Sequence, residues 1–328
     1  MTTPHPVSSL PLPFLCNPDY PFADVWRMSL QAAMPHERIV PFFALTDAER
    51  AKCTVAIAAN PPSDHVRALP ALRWVHSVWA GVEGLVADLS IDADTRVGGP
   101  LRIVRLVDPA LAETMSEAVL AWTLYLHRDM PYYAAQQRTP QWLQRDYVRA
   151  ADRSVGLLGV GALGEAAAKR LVAAGFKVSG WSRGRKAIEG VQCLCGPDEM
   201  HAMLQTSDIV ICLLPLTAET RGVLGSEALS ALKPGAALIN FARGAIVDDD
   251  ALRAALDSGS ISHAVLDVFA QEPLPTASWH WSHARVTVLP HIAAPTDRLS
   301  ASAIVAANIA RFRNNGSIPE VVDFQRGY

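Results

Sequence analysis

Long apolar runs are missing from this sequence. Its longest uncharged apolar stretches, such as Ile209 to Ala218, fall well short of the ~20 residues that a bilayer-spanning helix needs. An excess of one charge is missing too: 29 basic against 32 acidic residues leave a formal net of −3. That gives no electrostatic case for binding nucleic acid or a membrane surface. Cysteines number five, an odd count whose spacing does not read as a disulfide framework. Cys193 and Cys195 form a C-x-C with no second pair nearby, so no metal site is expected and reduced thiols are the plainer reading. The stretch Met1 to Pro13 lacks a basic start followed by an apolar segment and does not read as a signal peptide. A cytoplasmic protein is the expectation. Asn315-Gly316-Ser317 matches a glycosylation sequon, but without a secretory signal it reads as a loop after a helix.

What is present suits a folded α/β chain. Half of the 328 residues are hydrophobic, ample for a core, and the length predicts two domains. In the first third, Phe14–Cys16, Thr54–Ala58, Arg73–Val78 and Arg102–Leu106 read as strands, with helical stretches at Asp19–Met34 and Asp64–Leu69. Such alternation predicts a parallel sheet with crossover helices. Asp108-Pro109 then supplies an N-cap and a proline at the first helical position. The helix they start carries Leu111, Met115, Ala118, Val119, Trp122 and Leu126 at helical spacing. The segment Pro131 to Tyr147 mixes glutamine with Tyr132, Tyr133, Trp142 and Tyr147. It is either a surface loop or an arm that packs on a second subunit, since interfaces favour aromatic, mixed surface.

From Arg153 the alternation becomes regular. Ser154–Leu158, Lys177–Gly180, Asp208–Leu213, Ala236–Asn240, Ala264–Val268 and Val286–Leu289 are six strand candidates separated by helices, the count of a doubly wound dinucleotide domain. Thr296–Arg313 reads as a closing helix. The first of these strands runs into Gly159-Val160-Gly161-Ala162-Leu163-Gly164, a G-x-G-x-x-G between a strand and an alanine-rich helix. The first glycine permits the tight turn and the second lets backbone approach a pyrophosphate. The third allows close packing of helix on strand. At the end of the next strand, where an NAD site places a carboxylate, the chain reads Trp181-Ser182-Arg183-Gly184-Arg185-Lys186. Three cations and no acid suit a 2′-phosphate. NADPH is therefore the expected cofactor, with NADH weaker and with Arg183 and Arg185 as phosphate ligands. Solvated surface cations are the alternative.

Three further strand ends carry Phe241-Ala242-Arg243-Gly244, Asp267-Val268-Phe269-Ala270-Gln271-Glu272-Pro273 and Leu289-Pro290-His291. Singly, Arg243 could cap a turn, Glu272 could be a surface carboxylate and His291 a core histidine. Together, after a phosphate loop, they supply what reduction of a 2-oxo acid needs: a cation for carboxylate and carbonyl, an acid for the forming alkoxide, and a carboxylate that keeps the acid charged.

On these motifs the chain resembles the D-isomer-specific 2-hydroxyacid dehydrogenase family along most of its length. Within the family it is most similar to the glyoxylate/hydroxypyruvate reductase A type, through Val78-Trp79-Ala80-Gly81-Val82-Glu83, Ala121 to Arg128, Trp181-Ser182-Arg183 and Gln325-Arg326-Gly327-Tyr328. The resemblance implies two Rossmann-like, flavodoxin-like domains with parallel sheets and an active site in the interdomain cleft. Residues 1–117 plus 294–328 would form a discontinuous substrate domain, and 118–293 the NAD(P)-binding domain. It further implies Arg243, Glu272 and His291 as the catalytic set. Substrate would be bound by Trp79, Ala80, Gly81 and Val82 with Arg243 and His291. Cofactor contacts would come from Gly159, Gly161, Ala162, Leu163, Gly164, Trp181, Ser182, Arg183, Arg185, Leu214, Pro215, Ala242 and Asp267. The implied activity is NADPH-dependent reduction of glyoxylate or hydroxypyruvate, or of another small 2-oxo acid, by a homodimer. Two readings stand beside it. Formate dehydrogenases of this fold have glutamine as the partner of the histidine, so the register of Gln271 against Glu272 matters. Non-catalytic dinucleotide-sensing relatives also exist, and the intact Arg243, Glu272 and His291 favour an enzyme over them.

Overall fold

The structure, a computed structural model, describes residues 10–90 and 100–323, without the side chains of 87–90. The sequence readings at 1–9 and at Gln325 to Tyr328 lie outside the described residues. Packing divides the chain into two compact units, Met1–Ala110 with Thr296–Tyr328, and Leu111–Pro295.

In the first unit the chain runs β1 (Pro11–Cys16), α1 (Ala23–Ala33), β2 (Arg38–Pro41), α2 (Asp47–Arg50), β3 (Val55–Ala59), α3 (Ser63–Arg67), β4 (Trp74–Ser77), α4 (Glu83–Ser90) and β5 (Arg102–Val104). All pairings are parallel, in the order β2-β1-β3-β4-β5, a flavodoxin-like winding. β3 shows why the strands read as continuous apolar runs. Val55, Ile57 and Ala59 enter one core cluster while Ala56 and Ala58 enter another, so both faces of the sheet are covered. β2 has no such run. Arg38-Ile39-Val40-Pro41 lies at the sheet edge, a place where a strand proline is tolerated.

The second unit contains α5 (Pro109–His127, entering from the first), α6 (Met130–Arg138), β6 (Ser154–Leu158), α7 (Ala162–Ala173), β7 (Lys177–Trp181), β8 (Val191–Leu194), α8 (Gly196–Thr206), β9 (Ile209–Cys212), α9 (Ser226–Ser230), β10 (Ala236–Asn240), α10 (Asp249–Ser258), β11 (Ile261–Leu266) and β12 (Val286–Val288). α5 starts at the expected cap, the Asp108 carboxylate accepting the Ala110 N–H at 2.9 Å. The sheet is parallel, in the order β12-β11-β10-β9-β6-β7-β8. Seven strands replace the six expected. The extra one, β8, is an edge strand with no fully buried residue, so no apolar run announces it. Strand order reverses between β6 and β9, and open α/β sheets bind their ligands outside the strand ends at such a point.

After α6, residues 139–149 form no regular element. They are tied down by Gln136, whose buried amide donates to the Leu143 carbonyl at 3.0 Å and accepts the Leu143 N–H at 2.9 Å. Trp142 in this stretch is 94% exposed.

The chain ends its described course back in the first unit. α11 (Arg298–Asn315) packs Ala301, Val305, Ile309 and Phe312 with Leu12, Phe14 and Trp74 of that unit's core. Its Asp297 cap accepts the Ser300 N–H at 2.8 Å. Asn308 donates to Nε2 of the buried His76 at 2.9 Å, and His76 Nδ1 then donates to the Ser77 carbonyl at 2.8 Å. Burial pushes the His76 imidazole down to about 4, which keeps it in this neutral form. Among the described residues no helix is long and apolar enough to cross a membrane, and no cluster of His, Cys, Asp or Glu has the make-up of a metal site.

Candidate active site

The dinucleotide loop lies at the carboxyl end of β6. Gly159 has φ +100°, a left-handed conformation that side chains rarely adopt. A Cβ on Gly164 would stand 1.9 Å from the Gly159 carbonyl oxygen, so α7 packs on the loop at a distance only glycine allows. Gly161 is the opposite case, since a Cβ there would meet nothing within 4 Å. No side chain caps α7 at Gly161, so the backbone N–H groups of its first turn, at Ala162, Leu163 and Gly164, have no capping side chain. This is the donor set that a pyrophosphate takes at a helix N-terminus. The residues present therefore fit a dinucleotide.

On one side of this loop, at the end of β7, Trp181 Nε1 donates to the Gly196 carbonyl at 2.7 Å, and the Ser182 hydroxyl donates to the Gly184 carbonyl at 2.8 Å. Arg183 is exposed and stands 3.8 Å from Glu219. Arg185 is engaged otherwise, donating to the Cys193 carbonyl at 2.9 Å and to Glu199 at 2.6 Å. Glu199 also accepts the Cys195 N–H at 2.6 Å. The carboxylate and both hydrogen bonds hold the turn, so any phosphate contact of Arg185 is shared with this network. On the other side, Leu214 is buried and Pro215 half-buried just after β9.

The three chemical groups sit at the ends of β10, β11 and β12. Asn240, the last residue of β10, is 1% exposed. Its amide accepts the Ala242 N–H and donates to the Arg243 carbonyl, each at 3.1 Å, and so shapes the turn that carries Arg243. The Arg243 guanidinium donates to the Ala242 carbonyl at 2.7 Å. After β11, the buried Asp267 accepts the N–H groups of Ile292 and Ala293 at 2.7 and 2.9 Å. Its own carbonyl accepts the His291 N–H at 3.0 Å. Asp267 thus fastens the histidine loop to the sheet, where His291 takes φ +55°, a strained conformation for a side-chain-bearing residue.

Glu272 and His291 meet directly, Nδ1 to Oε2 at 2.7 Å. The other carboxylate oxygen accepts the Phe269 N–H at 2.9 Å. Gln271 is exposed and Glu272 holds the contact, which settles the register of the acidic partner. Glu272 raises the His291 imidazole above its ordinary value through that hydrogen bond, against partial burial and the charge of Arg243. Burial works to raise the Glu272 carboxyl, but the His291 and Phe269 hydrogen bonds outweigh it and hold it below the usual range. The hydrogen bond between them favours the charged form of each group. Asn240, Glu199 and Glu219 were not singled out in the sequence, and of these only Asn240 gave a signal, as the polar end of an apolar strand.

Trp79, Ala80, Gly81 and Val82 belong to the first unit, between β4 and α4. The Trp79 N–H donates to the Ser77 hydroxyl at 3.0 Å, and its ring meets Tyr20 edge-on at 5.7 Å. Tyr20 is fixed in turn by Trp26, whose Nε1 donates to its hydroxyl at 3.1 Å. Val82 is buried and leads into the α4 N-terminus.

A seven-stranded doubly wound sheet with a glycine loop at its switch point, and a hydrogen-bonded carboxylate–imidazole pair after neighbouring strands, defines a dinucleotide-dependent oxidoreductase. Comparison with known proteins makes the class specific. The model of the D-isomer specific 2-hydroxyacid dehydrogenase NAD binding domain matches residues 120–293. Glyoxylate/hydroxypyruvate reductase A of Serratia proteamaculans (strain 568) is 35% identical, over 94% of this chain and 98% of that protein. Among solved structures, a D-isomer specific 2-hydroxyacid dehydrogenase from Xanthobacter autotrophicus Py2 in complex with NADPH and MES shares 38% identity, with a TM-score of 0.87, 98% of this chain and 100% of that one covered. The NADPH-dependent glyoxylate/hydroxypyruvate reductase of Sinorhizobium meliloti, in complex with NADP and sulfate, shares 32% identity, with a TM-score of 0.85, 97% of this chain and 100% of that one covered. The chain belongs to the D-isomer specific 2-hydroxyacid dehydrogenase family.

Proposed function

We propose that this chain reduces small 2-oxo acids with NADPH, taking glyoxylate to glycolate and hydroxypyruvate to glycerate. The observation that carries the reading is the 2.7 Å contact between His291 Nδ1 and Glu272 in the unit that also bears the dinucleotide loop. Relatives named for this activity, and neighbours solved with NADPH or NADP, support it.

The cofactor, when bound, supplies the hydride. The backbone N–H groups of Ala162, Leu163 and Gly164 would hold its pyrophosphate, with Gly159 and Gly161 giving the turn and the access. Trp181, Ser182, Arg183 and Arg185 would line the 2′-phosphate end, Leu214 and Pro215 the adenosine, and Ala242 and Asp267 the nicotinamide end. Arg183 carries most of the phosphate recognition, because Arg185 is already paired with Glu199.

The unit built on Leu111–Pro295 takes the cofactor role, and Met1–Ala110 with Thr296–Tyr328 the substrate role. Arg243 binds the carboxylate and carbonyl oxygen of the substrate. Backbone N–H groups of Ala80, Gly81 and Val82 bind the carboxylate, and Trp79 limits the size of the substituent beyond the carbonyl. His291 gives its Nε2 proton to the forming alkoxide, and Glu272 stabilises the charged imidazole beforehand and orients it through Nδ1. The exposed Trp142, Leu143 and Tyr147 make the arm after α6 the surface that pairs with a second copy.

The decisive assay tracks NADPH oxidation with glyoxylate and with hydroxypyruvate, repeated with NADH and with His291→Ala. Turnover that prefers NADPH and collapses in the variant is expected. Tight dinucleotide binding with no turnover of either acid would return the sensing reading.

A further inference from the structure

Arg183 and Glu219 reach toward each other from opposite sides of one strand. Arg183 comes after β7 and Glu219 lies in the loop after β9, and these two strands flank β6 in the sheet. Arg183 Nη1 nevertheless stands 3.8 Å from Glu219 Oε2. The ion pair therefore spans the mouth of the crevice at which strand order reverses, where a dinucleotide lies in this fold.

The loop that presents Glu219 is braced. The Thr217 N–H donates to Thr220 Oγ1 at 2.8 Å, and the Thr220 N–H donates back to Thr217 Oγ1 at 3.2 Å. The Thr220 hydroxyl donates to the Pro215 carbonyl at 2.6 Å, and the Arg221 N–H to the Thr217 carbonyl at 3.0 Å. Glu219 is thus held on a fixed turn, while both ends of its ion pair are well exposed, 57% for Arg183 and 76% for Glu219. Such a pair is easily broken.

We propose that Glu219 is a specificity-determining residue that competes with a cofactor 2′-phosphate for Arg183 and thereby sets how far the chain prefers NADPH over NADH. The assignment rests on the NADPH reading given above. A cofactor with a 2′-hydroxyl leaves the Arg183–Glu219 pair intact. One with a 2′-phosphate brings nearly two negative charges to the same guanidinium, and there it meets the Glu219 carboxylate. Arg183 must then leave Glu219 or divide its donors between two anions. The cost falls on the phosphorylated cofactor alone. Arg185 does not lift it, because its guanidinium is held by Glu199 and the Cys193 carbonyl.

Glu219→Gln keeps the size and removes the charge. Dissociation constants for NADPH and NADH are measured by calorimetry on the full chain, wild type and variant, at low salt. NADPH should bind about fivefold more tightly in the variant, the upper end of what one exposed ion pair supplies, with NADH unchanged within about twofold. The gain should shrink at about 0.5 M salt, where exposed charges are screened, and in an Arg183→Ala background. An NADPH-to-NADH ratio that stays at its wild-type value overturns the assignment. So does an equal weakening of both cofactors, which would make Glu219 part of the loop's structure. The wild-type measurement tests the parent reading separately. Equal binding of both cofactors there overturns the NADPH preference, and Glu219→Gln must still move the ratio toward NADPH for the assignment to stand.

Discussion

The hydrogen bond to Glu272 raises the His291 imidazole above its ordinary value, while partial burial and Arg243 push the other way. This fixes the sign of the pH dependence. The acid form is needed for reduction, so kcat/KM should hold as pH rises past the ordinary imidazole value of about 6.5 and fall only as pH passes the raised value. Glu272→Gln should move that alkaline fall to lower pH, and His291→Ala should lower kcat by about 10²–10⁴-fold. A Glu272→Gln profile that overlays the wild type would remove the carboxylate from this role. At the other end of the site, Arg183→Ala should weaken NADPH by about tenfold or more, the worth of a charge-assisted hydrogen bond, and NADH much less. Equal losses would sink the phosphate assignment. Arg243, Glu272 and His291 were legible because each follows a strand at a fixed place in the motif order. The pairings of Arg185 with Glu199 and of Arg183 with Glu219 were not, since loop geometry alone brings those residues together.

Elements were legible where the sequence carries an apolar run. β6 and β10 fall on the predicted residues, because central parallel strands are predominantly apolar. β2 and β8 are edge strands that carry no apolar run and went unseen, while the edge strands β5 and β12 were read. α6 was hidden by its mixture of tyrosine, alanine and glutamine, which carries no apolar stripe. The glycine loop was readable as a pattern, and the structure adds a measure of its tolerance. Gly164→Ala would bring a methyl group against backbone, the Gly159 carbonyl at 1.9 Å, so neither partner can turn aside. Dinucleotide affinity should fall about tenfold or more, with a stability loss of about 1–3 kcal/mol, read by calorimetry and thermal melting. An alanine variant that binds and melts like the wild type would show that α7 can slide on the loop at no cost.

For the whole molecule, the two-unit organisation and both parallel sheets were predictable from the rhythm of strand and helix. Whether the arm after α6 serves association was not, because the sequence left loop and interface equally open. Its exposed Trp142 and Leu143 put the question to experiment. Sedimentation should show a dimer for the wild type and a shift toward monomer for Trp142→Glu. A wild type that sediments as a monomer at all concentrations would make the arm an ordinary loop.

The return of α11 to the first unit bears on how the chain is made. Leu12, Phe14 and Trp74 are translated more than 200 residues before the helix residues that share their core, Ala301 to Phe312. The continuous unit between them can finish folding first. The sheet of β1 to β5 must wait with an apolar face uncovered until α11 is made.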